Sequence, residues 1–170
     1  MRLLSILFLC LLSACTGLPE GISVVDDFQL PRYLGKWYEI ARLDHRFERG
    51  LTDISAEYSL REDGGVKVLN SAYAAEQGQR KMAEGKAFFL DKPNIGRLKV
   101  SFFGPFYGAY NIIALDKTGY CYAMIAGPDR DYLWILARSP SLEPAILQAL
   151  LQQARALGFA TEQLIFDTHP

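Results

Sequence analysis

The sequence 30-LPRYLGKWYEIARL-43 predicts a turn followed by one β-strand. Pro31 and Gly35 are turn-forming residues at the entry. The aromatic and branched side chains from Trp37 to Leu43 favour a pleated, half-buried surface. A tryptophan near the start of a strand has to bury a large ring while its indole N–H finds an acceptor. We therefore expect Trp37 to close one end of a β-sheet core.

Short strand-like segments, separated by turn residues, follow this stretch along the chain. Apolar residues recur at period two over residues 51–60, and Glu62-Asp63-Gly64-Gly65 is a typical hairpin turn. Regular short strands with such turns indicate a closed barrel or a sandwich. Counting from Trp37, eight strands are predicted, over residues 37–43, 51–60, 66–73, 81–90, 97–103, 107–115, 120–126 and 132–138.

One amphipathic helix is predicted after the strands. Ser139-Pro140-Ser141 opens it, and Gly158 stands where a C-terminal cap belongs. The apolar stripe is expected to pack on the outside of the β-structure, and residues 164–166 can add a last short strand. The residues that recur at helical spacing are Ile146, Leu147, Leu150, Ala154 and Leu157.

Residues 1–14 have the features of a secretory signal peptide. Arg2 precedes an apolar run that is too short for a bilayer-spanning helix, and small residues occupy the cleavage position. The sequence 12-LSAC-15 resembles the bacterial lipobox, which implies acylation of Cys15; the alternative is ordinary secretion. With Thr16 next, the resemblance implies sorting to the outer membrane, on its periplasmic face. We predict a lipid-anchored protein with residues 15–29 as anchor and spacer and 30–170 as the folded domain.

Cysteine usage follows from this cleavage. Cys10 leaves with the signal peptide and Cys15 is acylated, so Cys121 has no partner for an intramolecular disulfide. We expect Cys121 to be a small buried side chain.

Charge and motifs argue against several classes of function. A net charge of -1 without a basic block argues against nucleic-acid binding. Asp44, His45 and Glu48 resemble a weak metal cluster, but a solvated loop is the favoured interpretation because irregular spacing does not enforce coordination. The sequence contains no recognisable catalytic elbow or phosphate-binding loop, and we predict no catalytic residues, no metal and no cofactor.

The order of these elements resembles the lipocalin family over essentially the whole mature chain. Gly35 and Trp37 match the first family signature, Asp116 lies in a partial match to the second, and Arg138 matches the third. The resemblance implies an all-β fold, an eight-stranded antiparallel up-and-down barrel with one C-terminal α-helix packed outside. It also implies that Arg138 lies across Trp37 at the closed end. Runs over residues 42–50, 101–108 and 127–134 are similar to the bacterial outer-membrane lipocalins.

The resemblance further implies a hydrophobic ligand, a fatty acid or a lysophospholipid, held for storage or transport. By strand alternation Trp134 and Tyr132 share a face with Arg138, and Tyr107 begins its strand near the mouth; we expect these three to bind the ligand. Two alternatives stay open: an enzyme acting on a lipid or isoprenoid, and a structural surface lipoprotein with a filled barrel. A homodimer is compatible with the sequence, which does not itself show one.

Overall fold

The computed structural model describes residues 16–170 and shows an antiparallel barrel of eight strands. The strands are β1 (Gly35–Arg42), β2 (Leu51–Leu60), β3 (Val66–Ala74), β4 (Gln79–Phe89), β5 (Arg97–Phe103), β6 (Phe106–Leu115), β7 (Tyr122–Ala126) and β8 (Leu133–Ala137). Neighbours in the chain are neighbours in the barrel, and β1 pairs with both β2 and β8. That double pairing closes the sheet and removes its free edges. The predicted signal peptide and Cys15 lie outside the described residues.

Apart from two one-turn 3₁₀ helices, Ala75–Gln77 and Thr161–Gln163, three further elements surround the barrel. They are the short helix α1 (Leu30–Tyr33), the helix α2 (Pro144–Ala156) and the strand β9 (Ile165–Phe166), which pairs with β1. Leu150 and Ala154 of α2 are buried against the outer wall of the barrel. Within residues 16–170, the helices are all too short or too polar to cross a bilayer.

The predicted fold, an eight-stranded barrel with the C-terminal helix outside, is confirmed; strand bounds shift by one or two residues, and three differences have a local cause. The entry to β1 is the helix α1, with proline in its first turn, instead of a simple turn. Helix α2 begins at Pro144, because proline suits the first helical turn, where its missing N–H is not needed. Strand β7 begins at Tyr122, since Tyr120 has a left-handed backbone with φ of 56°.

Strand alternation gives the molecule two hydrophobic cores, one on each side of the barrel wall. The outer core lies between the wall and α2 and includes Ile40, Ile113, Met124, Leu133, Ile135, Leu150 and Ala154. The inner core lies inside the barrel and includes Tyr33, Trp37, Tyr58, Val68, Leu98, Ile112, Ile125 and Leu136. Because both cores are built from residues 16–170, this segment has what it needs to fold by itself.

The barrel has two different ends. We call the end that carries α1 and the loops β2–β3, β4–β5 and β6–β7 the closed end. There the N-terminal segment crosses the barrel, with Phe28 N donating to Asn94 O at 2.9 Å. We call the other end, with the loops β1–β2, β3–β4, β5–β6 and β7–β8, the open end.

Residues 16–29 run along the outer wall to the closed end and are not a free spacer. Asn111 Nδ2 donates to Gly17 O at 2.9 Å. Leu18 and Ile22 pack in the outer core, and Phe28 packs in the inner core. The packed body therefore begins before residue 30, where the sequence had placed the start of the domain.

Candidate ligand-binding site

Trp37 and Arg138 seal the closed end. Trp37 is fully buried, and its indole N–H donates to Tyr33 O at 2.8 Å. The Arg138 guanidinium carbon lies 4.1 Å from the centre of the Trp37 ring. The same guanidinium donates to the carbonyls of Arg32 at 2.7 Å and Lys36 at 2.9 Å. This is the arrangement that the family resemblance implied, and it combines a cation–π contact with backbone capping.

Gly35 and Asp116 shape the turns around this seal. Gly35 has φ of 92°, a backbone conformation that favours glycine, and a β-carbon there would be in van der Waals contact with the Arg138 guanidinium at 3.4 Å. The Asp116 carboxylate accepts backbone N–H groups of Thr118 and Gly119, both at 3.1 Å, and of Cys121 at 3.2 Å. These bonds, that of Gly119 foremost, hold the pKa of Asp116 below its ordinary value. Cys121 is exposed in this turn, which corrects the expectation that it is buried.

Three tyrosine hydroxyl groups meet inside the barrel above Trp37. Tyr110 lies in the middle, 2.7 Å from the Tyr33 hydroxyl and 2.8 Å from the Tyr58 hydroxyl. Burial raises the pKa of Tyr58 to about 12 and those of Tyr33 and Tyr110 well above their ordinary value. The hydroxyls therefore stay neutral and satisfy one another, which lets this polar group form the floor of an otherwise apolar space.

The inner wall above this floor is accessible from the open end. Val100, Phe102 and Trp134 pack against the inner core yet remain only partly buried. Gly108 pairs with Val100 and lies two residues before Tyr110 on β6. Because alternate residues of a strand face the same side, its Cα–H faces inward as Tyr110 does. A β-carbon built on Gly108 would have no neighbouring heavy atom within 4 Å. The barrel thus contains an open lumen at this level.

A buried group of charged side chains lies in the lumen near the open end. Arg42 Nη1 donates to the Glu39 carboxylate at 2.7 Å, and both side chains are 2 % exposed. The loop β1–β2 folds Glu48 inward, where its carboxylate accepts the Trp134 indole N–H at 3.0 Å. The same oxygen lies 2.9 Å from His45 Nε2 and 3.9 Å from Arg42 Nε. One arginine therefore faces two carboxylates in a dry environment.

The two carboxylates respond oppositely to this environment. Burial, with the charge of Glu48, raises the pKa of Glu39 to about 8 despite its bond to Arg42. Burial alone would raise the pKa of Glu48 as well. Its contacts with His45, Trp134 and Arg42 outweigh burial and hold that pKa below its ordinary value. The opposite shifts make Glu48 the stronger acid of the pair and Glu39 the weaker one.

The structure places the three predicted ligand-binding residues differently. Trp134 points into the lumen, and Tyr132 stacks beside it with ring centres 6.1 Å apart. Tyr107 lies toward the open end, as expected, but on the outer face, where Lys99 Nζ sits 4.7 Å from its ring centre. Tyr107 and the inward Tyr110 differ by an odd number of residues, and the bulge in the β5–β6 pairing adds its extra residue to β5, so the two tyrosines face opposite sides of β6. Tyr107 therefore does not line the lumen.

The loop that was expected to be solvated is partly buried. His45 is 6 % exposed and packs against Trp134, with ring centres 5.0 Å apart. Asp44 turns outward and pairs with Arg49 at 2.7 Å. The loop therefore splits its charges between the lumen and the solvent. Among residues 16–170, no group of three or more histidine, cysteine or acidic side chains is arranged to hold a metal ion.

Several lumen residues were missed by the sequence interpretation: Glu39, Arg42, Glu48, Tyr58, Gly108 and Tyr110. The period-two pattern signals part of this set. Glu39 shares the parity of Trp37 on β1, and Tyr58 pairs with the inward Val68. Glu48 carries no such signal, because its position depends on how an irregular loop folds back.

Two grooves on the outer wall are distinct from the lumen. One, of about 540 Å³, lies between α2 and strands β6 and β7 and is lined in part by Val25, Leu115 and Tyr122. The other, of about 460 Å³, lies beside the C-terminal residues His169 and Pro170. Both are open to solvent along one side.

Comparisons with known proteins agree with this architecture. Residues 28–169 match the model of the lipocalin-like domain family. The chain is 52% identical over 162 residues to the outer membrane lipoprotein Blc of Vibrio cholerae, covering 94% of this chain and 95% of that protein. It is 52% identical to the outer membrane lipoprotein Blc of Escherichia coli K12, covering 89% and 85%. It is 34% identical to temperature-induced lipocalin-1 of Arabidopsis thaliana, covering 85% and 81%.

A solved structure shows the same fold. Insecticyanin of the tobacco hornworm Manduca sexta superposes with a TM-score of 0.72 at 22% identity, over 91% of this chain and 87% of that one. The names of the bacterial relatives support the predicted lipid-anchored, outer-membrane localisation. The family match, the identity over most of the chain and the closed barrel together show that this protein belongs to the lipocalin family, among the bacterial outer-membrane lipoproteins.

Proposed function

We propose that the protein binds one single-chain lipid, a fatty acid or a lysophospholipid, in its lumen and stores or carries it at the periplasmic face of the outer membrane. The observation that carries this proposal is the space beside Gly108, which faces inward and would have no neighbour within 4 Å of an added β-carbon. That space also weighs against the structural lipoprotein with a filled barrel.

The lining suits a hydrocarbon chain. Val100, Phe102 and Ala56 present apolar surface, and transfer of such a chain from water gains about 0.8 kcal/mol per CH₂ group. The tyrosine floor limits how deep the chain can enter, since Tyr110 already satisfies its hydroxyl neighbours. The headgroup consequently stays near the open end.

Near the headgroup, the loop β1–β2 supplies the polar contacts. Glu48 accepts the Trp134 indole N–H, and His45 lies beside both. The buried Nδ1 of His45 and Nε of Arg42 have no hydrogen-bond partner. Nε of Arg42 is a donor that a carboxylate or phosphate oxygen can satisfy once the ligand enters, whereas Nδ1 of His45 is an acceptor while Nε2 donates to Glu48.

The enzyme alternative receives less support from the geometry. His45 contacts Phe47, Glu48, Tyr132 and Trp134, and none of these is the serine or cysteine nucleophile of acyl transfer. We therefore expect the bound lipid to be recovered unchanged. Turnover of lysophospholipid that disappears on changing His45 would contradict this.

The test is a calorimetric titration of residues 16–170 with a lysophospholipid and a long-chain fatty acid. Gly108→Trp places an indole in the lumen and should weaken binding by about 100-fold or more, since it occupies the volume of the acyl chain. Tyr107→Trp is the matched control, because it puts the same ring one residue away on the outer face; it should bind as the wild type does.

Tryptophan fluorescence adds a positional readout. Trp134 and Trp37 are the only tryptophans, and Trp37 is sealed at the closed end. The ligand-induced fluorescence change should vanish in Trp134→Phe while heat is still released. Undiminished binding by a folded Gly108→Trp, or no heat for either lipid with the wild type, would refute the proposal.

A further inference from the structure

Phenylalanine side chains are exposed on two sides of the open end. Phe103 and Phe106, in the β5–β6 hairpin, are 75% and 72% exposed, and Phe47, in the β1–β2 loop, is 61% exposed. Strands β1 and β2 lie across the barrel from β5 and β6 in the strand order. We call these three residues the phenylalanine rim. Exposed aromatic groups on either side of an opening mark an interaction surface.

The chain that leads to the predicted anchor leaves the body beside this same end. A β-carbon on Gly17 would lie 3.4 Å from Pro128 O, and Pro128 belongs to the β7–β8 loop at the open end. Leu18 is already packed in the outer core. Gly17 O already accepts from Asn111 Nδ2, and Thr16 O accepts from Arg97 Nη2 at 3.4 Å. Only one or two residues therefore separate Cys15 from a fixed point on the body, a span below about 7 Å when fully extended.

This geometry restricts how an acylated protein can meet its membrane. A tether this short holds the body against the leaflet, and its exit beside the β7–β8 loop favours approach of the open end over the closed end. Tethering also raises the effective concentration of the rim at the surface, so a weak apolar contact suffices. Arg46, whose guanidinium lies 4.9 Å from the Phe47 ring centre, adds a cation that suits anionic headgroups.

From these two observations we propose that the phenylalanine rim inserts into the leaflet that holds the acylated Cys15, so that the lumen opens directly onto the membrane. This inference rests on the proposed lipid binding and on acylation of Cys15. The partner is the lipid surface itself. A single-chain lipid would then pass between leaflet and lumen without crossing bulk water, whose contact with an acyl chain is costly.

Vesicle flotation with residues 16–170 tests the rim without the tether. Vesicles of phosphatidylethanolamine and phosphatidylglycerol should carry the wild-type domain, and Phe103→Ser/Phe106→Ser should lower the bound fraction about tenfold. Phe47→Ser should act in the same direction. Leu60→Ser is the matched control, because Leu60 is 62% exposed but is the last residue of β2, at the closed end. It should change the vesicle-bound fraction less than about twofold.

Orientation is tested with the full acylated protein in vesicles. A polarity-sensitive fluorophore on Phe106→Cys, in a Cys121→Ser background, should shift to the blue and be quenched by lipids that carry a nitroxide in the acyl chain. The same label on Leu60→Cys should stay in water. Quenching at position 60 and not at 106 would overturn the proposed orientation.

Two further outcomes would overturn the proposal, and one control separates it from lumen binding. If vesicles do not bind the wild type, and Phe103→Ser/Phe106→Ser converts a dimer to a monomer in sedimentation, the rim is a contact between two copies. Equal loss of partition in Leu60→Ser would mean non-specific adsorption. Calorimetry with monomeric lysophospholipid should give wild-type binding for the rim variant, so failure of the rim leaves lumen binding intact.

Discussion

Replacing Trp37 with alanine should remove the seal at the closed end and lower the stability of the barrel by about 4–5 kcal/mol. Trp37 is 0% exposed. A buried tryptophan withdraws about 200 Å² from water, which at about 25 cal/mol per Å² amounts to about 5 kcal/mol. Its bond to Tyr33 O adds about 1 kcal/mol, and the cation–π contact with Arg138 adds about 0.5–1 kcal/mol. Partial collapse of neighbouring side chains recovers some of this, so we expect a net loss of about 4–5 kcal/mol.

The assay is urea unfolding of residues 16–170 followed by circular dichroism. With a slope of about 2 kcal/mol per molar urea, the midpoint should fall by about 2 M. Arg138→Gln, alone and combined with Trp37→Ala, completes a cycle that should show a coupling of about 1 kcal/mol. Trp134→Phe is the control for loss of a tryptophan that is only partly buried. A midpoint shift below about 0.5 M, or additive losses in the cycle, would refute the role assigned to Trp37.

Two other predictions concern carboxylates. The folded-state pKa of Glu39, about 8, lies above its ordinary value of 4.5, so its stabilising effect is complete below about pH 4.5 and is lost as the pH rises to about 8. At 1.36 kcal/mol per pH unit the difference approaches about 5 kcal/mol, and the stability of Glu39→Gln relative to wild type should rise across that window; parallel stability curves would contradict this. Asp116→Ala should cost about 1–2 kcal/mol in urea unfolding at neutral pH, since three backbone N–H groups lose their acceptor. Because the folded-state pKa of Asp116 is lowered, that cost should disappear as the pH falls through it, and a cost unchanged in acid would point to packing instead.

Local sequence patterns were sufficient to predict the strands. Period-two alternation, turn glycines and hairpin sequences placed all eight strands within a few residues of their observed bounds. The predicted start of an element was wrong where the backbone conformation of a single residue, and not the hydrophobic period, sets that start. Tyr120 has a left-handed backbone in the Asp116 turn, and Pro144 shifts the start of α2. These are effects of single residues that periodicity averages out.

The lining of the lumen was only partly predictable. Strand alternation predicted correctly that Trp134 faces the lumen, because β8 is regular and Arg138 marked which of its faces points inward. Tyr107 was assigned to the lumen from its position beside the mouth, without a parity reference on its own strand. Tyr110, which shares a hydroxyl cluster with Tyr33 and Tyr58, would have supplied that reference, but the cluster joins residues 77 and 52 positions apart.

The sequence by itself therefore determined the strand count and the helix, since these depend on period and local turn chemistry, and its short motifs carried the family resemblance that implied the seal between Trp37 and Arg138. Tertiary structure alone decided that Glu48 folds into the lumen, that Tyr107 faces outward, that residues 16–29 pack on the wall and that the phenylalanine rim lies across the open end. The physical reason is that barrel closure brings together residues distant in the chain. Burial then sets their charge and contacts in ways that no local pattern records.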